Sequence, residues 1–465
     1  MPIRHKEIIP HPEEPFSSCK LNRETYADVL KGLIERNPDG FVLAINNEWG
    51  TGKTTFVKMW QQKLCNKSIK TLYFNAWEND QEQDVFITLI SELYNLHEKK
   101  NAQLFEDLKK NAAPLTRQLA ISAAKSLLKK HIGDDFASEV SDLYENGLSE
   151  GIDAEIKAYR QRKEDIKTFK KSLQDLIKKS TGEHPLVFII DELDRCRPNF
   201  AVEVLEQVKH LFSVENIVFV LSIDKEQLSN AIKGHYGSES LNSEEYLRRF
   251  IDIEFSIPEP DRSSFCDYMF EYFDFKSAFK TYRSQKEWDE ITDFYRFFFS
   301  EKKITLRMLE KIFAHSRLVL DAFHRTILTP SVFLFLIYMK FLHPKIYKKI
   351  SLIELTYQQL VNDLEDIAKA NTFTSQKEHQ ILFLIGKILI LYQNACIRTD
   401  YRIGLLFENT GSENKKRNII TTTLKSANGM SFEKIIESIR NNQSVGDLWI
   451  THLTSKIDLM EHLRY

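Results

Sequence analysis

The stretch Asn47-Glu48-Trp49-Gly50-Thr51-Gly52-Lys53-Thr54-Thr55 constrains this chain more than any other. It follows the apolar run Phe41–Ile45 and precedes the helix-like Phe56–Trp60, so it sits as a glycine loop between a strand and a helix. That is the context a phosphate-binding loop requires. Gly50 and Gly52 let successive backbone N–H groups turn inward around a phosphate, and the helix N-terminus adds its positive dipole end. Lys53 is placed to reach β- and γ-phosphates, and the Thr54 hydroxyl to sit on Mg²⁺. One position departs from G-x-x-x-x-G-K-[ST]: its first glycine is Asn47. Asparagine enters left-handed conformations more easily than other side chains, so the loop is expected to turn there all the same.

A second motif stands at a fitting distance. Pro185–Ile190 is a continuous apolar run, as a strand buried on both faces of a parallel sheet should be. It ends in Asp191-Glu192-Leu193-Asp194-Arg195-Cys196-Arg197. Asp191 at the strand tip would hold Mg²⁺ together with Thr54. Glu192 would polarise a water for in-line attack, with Asp194 the next candidate base. The alternative is that these acids only cap the following helix. An adjacent Asp-Glu pair favours hydrolysis over mere nucleotide holding.

The strings Glu48–Thr54, Phe74-Asn75-Ala76-Trp77 and Ile190–Cys196, joined by Phe219–Asp224 and Tyr246–Asp252, resemble the KAP family of P-loop NTPases over about residues 20–330. The resemblance implies an ATPase using Mg²⁺, with an extra strand between the strands that carry the phosphate loop and the Walker B acids. It implies a sensor position at Ser222 and Asp224, after the strand Ile217–Ser222, although Asp224 could equally cap the helix Lys225–Lys233. In Ile304–Lys311, similar to the lid segment of AAA-like ATPases, Arg307 would reach back toward the phosphates. Arg249 aligns with a basic position of the family, whereas Arg248 replaces an acid. Bacterial members often resemble components of phage-exclusion systems, and many carry paired transmembrane helices between the two motifs.

This chain departs at that insert. Residues 98–183 hold Arg117, Lys125, Lys129 and Lys130 in their first half, so a membrane hairpin is not expected. In the second half Tyr159, Ile166, Phe169, Leu173 and Leu176 form one helical seam, which reads as an exposed helical protrusion made for contacts. The other greasy stretches, Val332–Leu342 and Ile381–Tyr392, are too short or too interrupted (Lys387) to span a bilayer and read as buried helices. The N-terminus has no apolar signal core, and five scattered cysteines fit a reducing cytoplasm.

The expected fold is α/β: a parallel-sheet P-loop NTPase core over residues 1–97 and 184–260, the helical insert 98–183, a helical lid 261–330 and an all-helical C-terminal domain 331–465. Trp77 is read as core, with stacking beside a nucleotide as the alternative. Net charge is −2, but residues 301–465 carry 23 Lys and Arg against 16 acids, while residues 1–96 and 184–300 carry 24 against 35. The near-neutral total gives little support to a nucleic-acid partner. Three roles stay open: an ATPase working as a homo-oligomer or with a partner effector protein, a nucleotide-dependent switch without significant turnover, and a nucleic-acid-stimulated ATPase. Arg195, Arg197, Arg248 and Arg249 are the candidates for an arginine supplied to a neighbouring subunit, unless nearby acids hold them.

Overall fold

The computed structural model describes residues 8–82, 84–131, 148–259, 261–279, 285–299, 304–321, 329–369, 375–398, 407–410, 415–418, 420–441 and 448–459. Side chains 117–131, including the four basic residues expected to exclude a membrane hairpin, lie outside the described set. The chain divides into two compact units, Glu7–Glu259 and Pro260–Tyr465.

The first unit is a P-loop NTPase fold. Its elements run α1 (Glu24–Arg36), β1 (Val42–Asn46), α2 (Lys53–Asn66), β2 (Thr71–Asn75), α3 (Val85–Leu93), α4 (Ala102–His131), α5 (Leu148–Thr181), β3 (Leu186–Asp191), α6 (Pro198–His210), β4 (Ile217–Ile223), α7 (Lys225–Tyr236), α8 (Ser243–Leu247) and β5 (Ile253–Phe255). The strands form one parallel sheet in the order β2-β3-β4-β1-β5, so β4 lies between β1 and β3. This is the extra strand that the resemblance implied.

Side-chain alternation along the strands builds two cores. Leu43, Ile45, Val187, Ile189, Val218 and Val220 pack with Ala27, Leu30, Phe56 and Trp60 of α1 and α2. Ala44, Phe74, Leu186, Phe188, Ile190, Phe219 and Leu221 face the opposite layer of α3 to α7. Every residue of β3 and β4 is buried, which is why both read as unbroken apolar runs.

The insert is less detached than its sequence suggests. Phe105, Leu108, Ala112 and Leu115 of α4 and Phe169, Leu173 and Leu176 of α5 belong to the sheet's own core. Tyr159, however, is 57% exposed. The seam is therefore closed at its C-terminal end and open beyond it.

The second unit contains α9 (Arg262–Tyr272), α10 (Phe275–Ala278), α11 (Gln285–Phe298), α12 (Leu306–Asp321), α13 (Pro330–Leu342), α14 (Pro344–Ser351), α15 (Tyr357–Lys369), α16 (Ser375–Arg398), β6 (Phe407–Thr410), β7 (Lys415–Asn418), α17 (Phe432–Asn441) and α18 (Ile450–Ile457). Residues 261–330 and 331–465 thus lie within one compact body. Its core is aromatic, with Phe298 against Phe335 at 5.1 Å and Phe299 against Phe313 at 5.4 Å. The C-terminal stretch is not wholly helical. Strands β6 and β7 pair antiparallel, with Glu408 opposite Arg417, where the sequence offers polar residues rather than a helical apolar stripe. The span Lys377–Arg398 is long and apolar enough to cross a membrane, and 67% of its apolar window is buried.

Candidate functional site

The site lies at the carboxyl ends of β1, β3 and β4. Gly50 and Gly52 have φ of 81° and 85°, in the left-handed region that favours glycine. These two turns curl the loop into the N-terminus of α2, which Gly52 caps. Lys53 is nine-tenths buried, and its Nζ donates to the backbone oxygens of Asn47 and of Glu48, the latter at 3.2 Å. Burial lowers its pKa, while Asp194, Asp224 and Asp191 pull it back up. The cation therefore sits inside its own loop, facing three carboxylates. The Thr51 hydroxyl closes the turn on the Glu48 oxygen at 2.9 Å. Thr54 and Thr55, half-buried, occupy the first turn of α2.

Asn47 does not play the part its residue type suggested. It is absent from the non-glycine residues with positive φ. Its carboxamide instead clasps the backbone of Ile257, donating to the carbonyl and accepting from the N–H, both at 2.8 Å. A carboxamide offers the donor and acceptor of a peptide group, so Asn47 extends the pairing of β1 with β5 past the last ladder bond.

A residue outside the motif also holds the loop. Arg23, 3% exposed, donates to the carbonyls of Thr51 at 2.9 Å and Gly52 at 3.3 Å. Burial lowers its pKa. The only signal in the sequence is its place just before α1, where a cation opposes the helix dipole and needs another reason to be there.

Across the sheet, Asn75, Asp191 and Ser222 stand in register on β2, β3 and β4. Asp191 is buried, accepting from the Tyr73 hydroxyl at 2.9 Å and from the Glu192 N–H at 3.0 Å. Glu192 has φ of 62°, rare for a residue with a side chain and a form of strain that concentrates at functional sites. Burial raises the pKa of its carboxyl, while the Arg195 guanidinium, 2.6 Å away, opposes the rise. Asp194 accepts a hydrogen bond from the Trp49 indole, and burial raises its pKa too. The Ser222 hydroxyl is buried with no hydrogen-bond partner among the described residues. Asp224 caps α7, accepting from Gln227 N–H at 3.3 Å; the capping reading is the one its contacts carry, although it still faces Lys53.

Other expectations divide. Trp77 is 53% exposed and is not core; Arg195 lies over its ring, 5.6 Å from the centroid. Three of the four arginines considered for a neighbour are committed within the chain: Arg195 to Glu192, Arg197 to Asp80 at 3.2 Å, and Arg248 to Glu245 at 3.1 Å. Arg249 is exposed and makes no ion pair with a described residue. Arg307 is exposed on α12 of the second unit. No group of three or more His, Cys, Asp or Glu among the described residues is disposed to hold a metal by itself. A metal here would be shared between Thr54, Asp191 and a nucleotide's own phosphates.

Among solved structures, similar chains include the Aeropyrum pernix ORC2 protein in ADPNP and ADP complexes (12% identity, 94% of this chain and 96% of that one, TM-score 0.35). Also similar are a DNA replication initiation factor (12%, 95% and 94%, 0.29) and AMPPCP-bound DnaA from Aquifex aeolicus (12%, 95% and 93%, 0.30). No curated protein matches. The sequence model of the KAP family P-loop domain matches residues 23–321. The glycine loop on β1, the acids on β3 and the strand between them are thus those of a KAP family P-loop NTPase, and the chain belongs to that family.

Proposed function

We propose that this chain binds ATP with Mg²⁺ and hydrolyses it, slowly when alone. The observation that carries the reading is the convergence of buried Lys53, buried Asp191 and the Ser222 hydroxyl, unpartnered among the described residues, at one end of the sheet. An orphaned buried hydroxyl costs free energy unless a ligand or water completes it, so Ser222 is poised toward a bound polar group. Bound Mg²⁺ would supply charge neutralisation across the β- and γ-oxygens. Lys53 would leave the loop carbonyls for the phosphates, and the N–H groups of residues 50–55 would line the cradle. Thr54 and Asp191 would hold the metal. Glu192 would accept the proton of an attacking water once released from Arg195, with Ser222 orienting that water.

A second reading, a switch that changes partners without turnover, has one observation in its favour. Glu192 is paired with Arg195 at 2.6 Å, which occupies one carboxylate oxygen and lowers its basicity. The wider role, as the regulatory or motor part of a cytoplasmic anti-phage system working as an oligomer or with an effector, is an inference from family likeness alone.

The test is nucleotide binding and steady-state phosphate release for three proteins. Wild type should bind and turn over Mg-ATP, Lys53→Ala should lose binding by more than about tenfold, and Glu192→Gln should bind but not hydrolyse. Wild-type affinity in Lys53→Ala would overturn the phosphate-loop reading. Tight binding without turnover in wild type would favour the switch.

A further inference from the structure

Beyond the seam that packs on α4, helix α5 is exposed on every side over residues 156–164. Over residues 156–171 it carries seven Lys or Arg against two acids, Glu164 and Asp165. At 3.6 residues per turn, Arg160, Lys163, Lys167, Lys170 and Lys171 fall within an arc of about 100°, away from the buried Phe169–Leu173 side, and span about 17 Å. Glu164, Asp165 and Asp175 lie outside that arc. None of the five cations makes an ion pair with a described residue; Lys163 rests over the Tyr159 ring at 4.8 Å. At the sheet end Gln174 bonds Glu215 at 2.8 Å, which closes the stripe. Exposed Ile156 and Tyr159 lie at its other end.

Acids border this row, Glu164 four residues after Arg160 and Asp175 four after Lys171, but none interrupts the arc of five cations, whereas on a merely solvated face charges of both signs intersperse. We propose that this face of α5 binds the phosphate backbone of duplex nucleic acid without reading sequence. Five cations within about 17 Å suit the dense charge of a duplex, one phosphate per about 3.4 Å of axis on each strand, and four of the five are lysines, which act as point charges rather than forks. A membrane would require an apolar face beside the cations. Of the apolar side of α5, Phe169, Leu173 and Leu176 are buried in the sheet's core, and among the described residues only Ile156 and Tyr159 are exposed, too small a patch for an apolar face. The chain-wide charge of −2 hides this row because acids elsewhere cancel it. The inference is independent of the ATPase reading, since it needs no nucleotide.

The experiment titrates the full chain, without nucleotide, into a fluorescent duplex of about 30 base pairs between about 50 and 200 mM salt. Binding should weaken steeply with salt. The triple variant Lys163→Gln, Lys167→Gln, Lys171→Gln should bind more weakly and lose about 2.7 from the log–log salt slope, at about 0.9 per phosphate contact. A charge-matched control, Lys345→Gln, Lys348→Gln, Lys349→Gln on exposed positions of α14, should keep the wild-type slope. ATP binding by the triple variant at wild-type affinity shows that its loss is local. The proposal is overturned if wild type does not bind the duplex at the lowest salt or if the triple variant keeps the wild-type slope. Capture by phosphatidylserine vesicles but not by duplex would also overturn it, in favour of a membrane surface.

Discussion

Asn47 and Ile257 stand 210 residues apart in sequence and are joined by two 2.8 Å hydrogen bonds, one in each direction. The first residue of the phosphate loop is thereby fastened to the segment that leaves the last strand. Asn47→Gly restores the commoner loop residue but removes both bonds. It should lower stability by about 1–2 kcal/mol, read as a fall in the unfolding midpoint. An unchanged midpoint would show the clasp to be idle.

Arg23 carries the loop from below. Arg23→Ala leaves the Thr51 and Gly52 carbonyls without their charged donor, a loss of about 1.5–3 kcal/mol of charge-assisted bonding. ATP affinity should fall about tenfold or more, and Arg23→Lys should recover only part of it, because one ammonium lacks the guanidinium's fork. Wild-type affinity in Arg23→Ala by calorimetry would remove Arg23 from the site.

The Glu192 carboxyl gives a pH signature. Its pKa is raised above 4.5, chiefly by burial, and in the proposed role of base it would work only when deprotonated. Turnover should therefore be present at neutral pH and lost as pH falls through a value above 4.5. Arg195 acts against the rise, so Arg195→Ala should push the acid limb to higher pH while freeing the carboxylate at neutral pH. A kcat–pH profile whose acid limb does not move in Arg195→Ala would place the base elsewhere, with Asp194 next.

Arg249 is the first candidate to act on a neighbouring subunit, since of the four arginines it alone makes no ion pair with a described residue. Arginines supplied in trans accelerate phosphoryl transfer by ~10³ or more. Lys53→Ala and Arg249→Ala proteins should each be inactive, and mixing them should restore phosphate release as joint oligomers form. A monomeric wild type whose specific activity does not change with concentration or partner would sink this.

Local pattern made much of the core legible. The loop at 47–55 and the acids at 191 and 192 were found because each joins a short motif to a strand whose apolar run announces burial on both sides. The outgoing insert helix was legible for the same reason, its seam repeating at helical spacing. The engagement of Arg195 and Arg248 was half legible, because each acid lies three residues before its arginine, a spacing that brings helical side chains together.

What the sequence by itself determined is which residue types stand at strand ends and loop turns, since those depend on neighbours a few positions away. Only the tertiary structure decided their partners. Arg197 meets Asp80 across 117 residues, Trp49 meets Asp194 across 145, and Asn47 reaches Ile257 across 210. Trp77, which looked like core, stands exposed under Arg195 because the turn after β2 carries it to the rim of the sheet. Chain folding brings such pairs together through strand order and register, and no local periodicity encodes that distance.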